Sequence, residues 1–372
     1  MKKYLLFPIA SLALVFTACS SDETKEQTAE GMIPININAV VEGADATRGF
    51  VNTNLPHNTK VYVWADMINI SDNVRTEYFK GWELKATTTN GARLMRETTS
   101  EAKFFPATNV LDMWAMVGNF SGYSINSQNS LPVSPAFIYH TVRDDQTTAA
   151  AYYGSDLLYS QVRNQEPVDA TEGLTMKFYH MLSRVRVVLI PGHGDTTNDD
   201  YSNETLRNAT VTLLDLETRA KFTPVKGVSM DDFAGTTGQP TRAAMITTAP
   251  KNVDDAPDYE PRRDITISTG VAAYNTTSKT YEVTNDSYGD AIIVPQTVIA
   301  GNFIKVTFED QGTSLTHDTY FRFADDFTFE GGKQYQFKLT LDRIGETYSI
   351  TPTISAWTAE ENNRAIDLKQ PN

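Results

Sequence analysis

Apolar residues recur at every second position along this chain, in short runs cut off by Gly, Pro, Asn and Asp. Tyr335-Gln336-Phe337-Lys338-Leu339-Thr340-Leu341 is the plainest case. Its aromatic and aliphatic side chains fall on one face of a strand and its polar ones on the other. Gly331-Gly332-Lys333, just ahead, is turn chemistry. The same pattern predicts strands over residues 33–41, 60–65, 174–178, 185–190, 210–214, 265–268, 291–294, 303–308, 320–323 and 348–354. No segment keeps a helical period beyond a turn or two, and His180-Met181-Leu182-Ser183 is predicted as one such turn. Many short strands at this spacing predict an all-β chain made of β-sandwiches.

The chain opens on a different pattern. Met1-Lys2-Lys3 is basic, residues 4–16 are apolar, Thr17 and Ala18 are small, and Cys19 follows. That is the layout of an export signal over residues 1–18, too short and wrongly flanked to span a membrane. Val15-Phe16-Thr17-Ala18-Cys19 resembles a lipobox, with Phe16 where Leu is usual. The resemblance implies lipidation of Cys19, and two or more acyl chains hold a protein stably on a bilayer. Residues 19–30 are polar and acidic without apolar period, and read as a flexible tether. Cys19 is the one cysteine in the chain, so no internal disulfide is available and stability must come from a buried core.

About 350 residues beyond the signal suggest two domains. The strand pattern breaks at residues 164–173, which divides the chain into 31–170 and 171–372, with a later boundary at Pro191-Gly192 as the alternative. Residues 192–203 and 230–263 read as surface excursions of the second part. The formal charge is −14, from 46 acidic and 32 basic residues, and no basic run interrupts it. Nucleic acid is therefore not an expected partner.

Catalytic patterns are absent from the sequence. The histidines (His57, His140, His180, His193 and His317) have no paired metal-ligand spacing, and neither a nucleophile elbow nor a phosphate loop occurs. Gly192-His193-Gly194-Asp195 with Asp199-Asp200 lacks the ligand order of a calcium loop and reads as a solvated loop. The expectation is no enzyme, no cofactor and no metal. Trp64, Tyr78, Phe79, Trp82, Trp114, Tyr123, Tyr152 and Tyr153 suit either a core or a ligand-stacking surface, and core is the expected use. His180, inside an apolar run, reads as a structural histidine.

Several segments in order carry a resemblance. After Cys19 and a first strand come Ala46-Thr47-Arg48-Gly49 and Val61-Tyr62-Val63-Trp64-Ala65. Gly154-Ser155-Asp156-Leu157-Leu158-Tyr159 and the stretch from Leu174 to Val185 follow. Phe329-Glu330-Gly331-Gly332-Lys333-Gln334-Tyr335 and Ile354-Ser355-Ala356-Trp357 close the series. Together they resemble the fimbrillin family of Bacteroidia-type bacteria, Mfa-like surface lipoproteins that form or decorate pili. The resemblance implies two β-sandwich domains in tandem, the second transthyretin-like. It implies partners among other fimbrial subunits, joined by β-strand addition, and an outer membrane reached through the lipid on Cys19.

Cleavage by an arginine-specific protease after the first strand falls, by the same resemblance, at Arg48, between Thr47 and Gly49. Losing Ile33, Ile35, Ile37, Ala39 and Val41 would open an apolar groove with unpaired backbone, which another subunit's strand could fill. Tyr348, Ile350, Ile354, Ile366 and Leu368 are the candidate donor residues. The tail beyond Trp357 is polar, so either the segment before it takes part in donation or the chain accepts a strand without giving one. A second reading is a permanently anchored surface lipoprotein that binds a glycan or host protein through aromatic loops.

Overall fold

A computed structural model describes residues 32–41, 55–87, 93–96, 101–191, 206, 208–226, 245–248, 261–275, 277–278, 280–309, 315–341, 347–350 and 352–357. These residues are nearly all β, as the alternating pattern requires. Their one α-helix, Ala149–Gly154, is short and starts where the Thr148 side chain accepts from the Ala151 amide.

Seven strands form the first sheet, in the order Ile37–Val41, Leu174–His180, Leu158–Gln165, Val110–Val117, Lys60–Ile68, Arg75–Ala86 and Leu94–Arg96. Neighbours run antiparallel except the first pair, which is parallel. An isolated bridge between Asn38 and Arg93 ties the two edges together, so the sheet wraps around its own core. Alternate residues supply that core: Val61, Val63 and Ala65 from one strand, Leu111, Met113, Ala115 and Val117 from the next, Leu174, Met176 and Phe178 from the first strand's neighbour. Strand Leu174–His180 lies beyond the break expected between residues 170 and 171, yet it belongs to this sheet.

Two further sheets share a second core. One is ordered Gly289–Ile293, Ser183–Pro191, Lys333–Leu341, Thr353–Ala356, and the other Thr347–Ser349, Thr316–Phe323, Gly301–Glu309, Thr210–Leu216, Arg263–Ile267, Asp145–Gln146. Val185, Val187, Val211, Ile265, Phe303 and Phe337 meet in that core. Trp64, Trp114 and Tyr159, from the far face of the seven-stranded sheet, join the same cluster. A four-stranded sheet sews the halves together, with Phe120–Ser121 and Ile138–Thr141 from one and Arg219–Phe222 and Ile246–Thr248 from the other.

Two local expectations need correction. Residues 180–183 are not a helical turn: one strand ends at His180 and the next begins at Ser183, as the chain passes from the first sheet to the second. The run 348–354 is not one strand either. Thr347–Ser349 edges the six-stranded sheet and Thr353–Ala356 the four-stranded one, with buried Ile350 and Pro352 at the crossing. Proline has no amide to donate to a ladder, which suits a change of sheet there.

Candidate functional site: the first-strand slot

The first strand is short, but it is held on both sides. Ile37 to Val41 pair in parallel with Leu174 to Phe178, residue for residue. On the other side the Ile35 amide donates to the Lys103 carbonyl at 2.8 Å, and the Phe105 amide to the Ile33 carbonyl at 2.8 Å. Bridges Pro34 to Phe104 and Asn38 to Arg93 continue that edge. Its alternation is carried through in burial: Ile35, Ile37, Ala39 and Val41 lie in the core, whereas Ile33, at 40 % exposure, does not.

The polar residues between them do a second job. Asn36 Nδ2 donates to the Ala170 carbonyl at 2.8 Å and Asn38 Nδ2 to the Glu172 carbonyl at 2.7 Å. Both acceptors sit in a turn organised by Asp169, whose Oδ1 accepts from the Thr171 amide at 2.7 Å and from its hydroxyl at 2.5 Å. Those bonds, the hydroxyl's first, hold the Asp169 carboxyl below the usual carboxylate range. The turn closes on Gly173, with φ +72°, and a Cβ there would lie 3.1 Å from the Asn36 carbonyl oxygen. Only glycine combines that left-handed backbone with so close an approach. The Leu174 amide then donates to the same Asn36 carbonyl at 2.7 Å.

Burying two isoleucines, a valine and an alanine contributes on the order of 5–10 kcal/mol gross. Taking the strand out would forfeit that burial and leave unpaired ladder groups on both flanks. The slot is thus an elongated apolar groove with hydrogen-bonding edges, a shape suited to an extended peptide with apolar residues at every second position.

The other predicted site residues fall elsewhere. Cys19, Arg48, Gly49, Ile366 and Leu368 lie outside the described residues, as do His193, Asp195, Asp199 and Asp200. Of the candidate donor residues, Tyr348 lies in Thr347–Ser349, Ile350 is buried, and Ile354 is 53 % exposed on an edge strand. Trp64, Phe79, Trp82, Trp114 and Tyr152 are buried, Tyr123 and Tyr153 are half-buried, and Tyr78 is exposed at its rim. His140 is a core residue: its Nδ1 accepts from the Asn119 amide at 3.0 Å and its Nε2 faces the Ser155 carbonyl at 2.9 Å. Burial lowers its pKa to about 4. Among the described residues no group of three or more His, Cys, Asp or Glu is placed to hold a metal, and no helix is long and apolar enough to cross a membrane. The bracing by Asn36, Asn38 and residues 169–173 was not anticipated. Its one trace in the sequence is the Ile-Asn-Ile-Asn alternation over residues 35–38.

Comparison with protein-family models matches residues 47–357 to the fimbrillin-like family. The chain belongs to that family. Solved structures with which the fimbrillin-like chain aligns include a candidate cell-adhesion protein of Bacteroides ovatus, at 15 % identity and TM-score 0.51, over 89 % of this chain and 99 % of that one. A candidate cell-adhesion protein of Bacteroides uniformis aligns at 14 % identity and TM-score 0.49, over 89 % and 100 %. The tip fimbrial protein Mfa3 of Porphyromonas gingivalis aligns at 9 % identity and TM-score 0.36, over 87 % and 100 %. At these identities the likeness to the Bacteroides ovatus protein shows a shared fold alone. A search of the curated proteins gives no match.

Proposed function

We propose that this fimbrillin-like chain is a structural or adhesive subunit of a bacterial surface pilus, exported as a lipoprotein on Cys19, whose first strand is replaced by a strand from another subunit. One observation carries the reading. The strand Ile37–Val41 buries alternate residues in the core and pairs along its length with Leu174–Phe178, while Ile33 and Ile35 just ahead of it bond to residues 103–105 and Asn38 bridges to Arg93. Removing it would leave a complete groove rather than a frayed edge. Arg48 follows that strand by seven positions, so a cut there would sever the strand and the lipid anchor together.

The candidate donor segment is occupied within the chain itself. Thr347–Ser349 and Thr353–Ala356 are paired into the chain's own sheets, and Ile350 and Trp357 are buried. Beyond Trp357 the sequence is mostly polar, with Ile366 and Leu368 on alternate positions as its large apolar residues. In this reading the chain accepts a strand at its first-strand slot. An anchored lipoprotein reading a glycan through aromatic loops would want exposed rings, and Trp64, Trp82 and Trp114 are buried.

Mass spectrometry of the protein from native cell surfaces tests the reading. A chain starting at Gly49 is expected, and replacement of Arg48 by Ala should keep the variant out of pili. Recovery of the whole population with a lipidated Cys19 as its first residue would overturn strand removal.

A further inference from the structure

The chain carries a second stretch with the first strand's pattern. Tyr348, Ile350, Pro352, Ile354 and Ala356 fall on alternate positions, as do Ile33, Ile35, Ile37, Ala39 and Val41. Such a stretch, if it came loose, would offer its alternating apolar side chains to the groove of a neighbouring copy whose first strand had been removed, with Pro352 giving up one ladder donor. The fold holds its end in place. Trp357 is buried, its ring stacked on His180 with centroids 3.7 Å apart and planes 9° from parallel. His180 Nδ1 lies 2.8 Å from Asp156 Oδ2, and both side chains are buried. The Trp357 amide donates to the Gly332 carbonyl at 2.8 Å, and the Gly332 amide donates to the Leu182 carbonyl at 2.7 Å.

We propose that Trp357, stacked on the His180–Asp156 pair, is a latch that keeps the last strand at home and so prevents copies of this chain from filling one another's slots. Position supports it. Among the described residues strand Thr353–Ala356 pairs on one side only, with Lys333 to Gln336, and Ile354 faces solvent. Four residues of ladder with an exposed apolar side chain are a weak hold, and edge strands of this kind invite pairing with another chain. The aromatic stack adds the burial that the strand lacks. His180 also ends the strand that grips Ile37–Val41, so the latch and the slot share one element.

The latch rests on the strand-replacement reading, and the experiment separates the two. Hydrogen exchange is measured on the mature chain, on Trp357→Ala, and on Asp156→Asn as a variant that keeps the ring stack's volume. Amides of Thr353–Ala356 should exchange at least tenfold faster in Trp357→Ala, with a smaller rise in Asp156→Asn, while Val185 to Leu189 stay protected. After cutting with an arginine-specific protease, light scattering should show chains of copies for Trp357→Ala and monomers for the unaltered protein. Unchanged exchange in both variants overturns the latch. Faster exchange without assembly also overturns it, provided a peptide of residues 33–41 binds the cut chain. Should that peptide fail to bind, the slot itself is absent and strand replacement falls, taking the latch with it.

Discussion

The first and last described strands of this protein are both edge strands, and they are secured in opposite ways. Ile37–Val41 pairs in parallel along its length on one side and bridges through Asn38 to Arg93 on the other, residues 33–35 just ahead of it bond to 103–105, and its alternate side chains are sunk in the core. Thr353–Ala356 pairs, among the described residues, with a single neighbour, turns Ile354 to solvent, and is buried chiefly at its ends, by Pro352 before it and Trp357 after it. An edge strand can therefore be stable through distributed burial or through one terminal anchor. Distributed burial leaves a shaped groove when the strand is removed. A single anchor leaves only a bare edge when it fails. In the proposed reading, the first strand is the one replaced and the last the one retained.

Stripping the first strand tests the contrast most severely. Its gross burial, on the order of 5–10 kcal/mol, is comparable to the whole stability of an ordinary domain. A chain cut at Arg48 and freed of residues 32–41 should melt well below the intact protein and recover Tm when the peptide of residues 33–41 is added back. No rise in Tm with peptide would break the comparison at its stronger end. Within the intact chain, Ile37→Ala removes a fully buried side chain from the middle of the strand. It should cost about 2–5 kcal/mol in urea unfolding. A loss below about 1 kcal/mol would mean the strand is not gripped as its burial implies.

Much of this was legible in the sequence, and two of the parts that were not can be traced to burial. Alternation marks strands with one buried and one wet face, which is why residues 33–41 and 335–341, within the strand Lys333–Leu341, could be read directly. Val110–Val117 was missed because it is buried on both faces: Leu111, Met113 and Ala115 face one core, Trp114 and Met116 the other. Its buried Asp112, paired with Arg75 at 2.5 Å, further spoils the pattern. Residues 180–183 misled for a similar reason, since Met181 and Leu182 are buried where the chain crosses between sheets. Pairing partners were beyond reach, and so was the parallel grip of Leu174–His180 on the first strand. Yet the segments around Asp156, His180, Gly332 and Trp357, picked out separately along the chain, converge at one place in the fold.

Acid should act on both edges at once, unlike a change at either. His140 lies in the sheet that sews the halves together, with its pKa lowered to about 4 by burial. Against an unfolded value near 6.5, the unfolded chain gains this proton first, so stability falls as pH drops from about 6.5 towards 4. The shift is worth up to about 3 kcal/mol. Urea unfolding at pH 7 and pH 4.5 should show most of that loss, and His140→Gln should be weaker at pH 7 but flatter across the interval. Hydrogen exchange at pH 4.5 should rise at both edge strands together. A rise confined to Thr353–Ala356 would place the acid effect at the last strand instead of the seam.

Ile354→Ala should do least. The side chain is 53 % exposed on a strand with one partner, so truncation creates no cavity and removes little burial. What remains is a difference in strand preference between isoleucine and alanine, a few tenths of a kcal/mol at such an edge. The urea midpoint should shift by less than about 0.5 kcal/mol equivalent, with an unchanged slope. A loss above about 1 kcal/mol would show that Ile354 is covered in solution. The last strand would then be held by its own side chains as the first one is, and Trp357 would no longer be needed to explain why it stays.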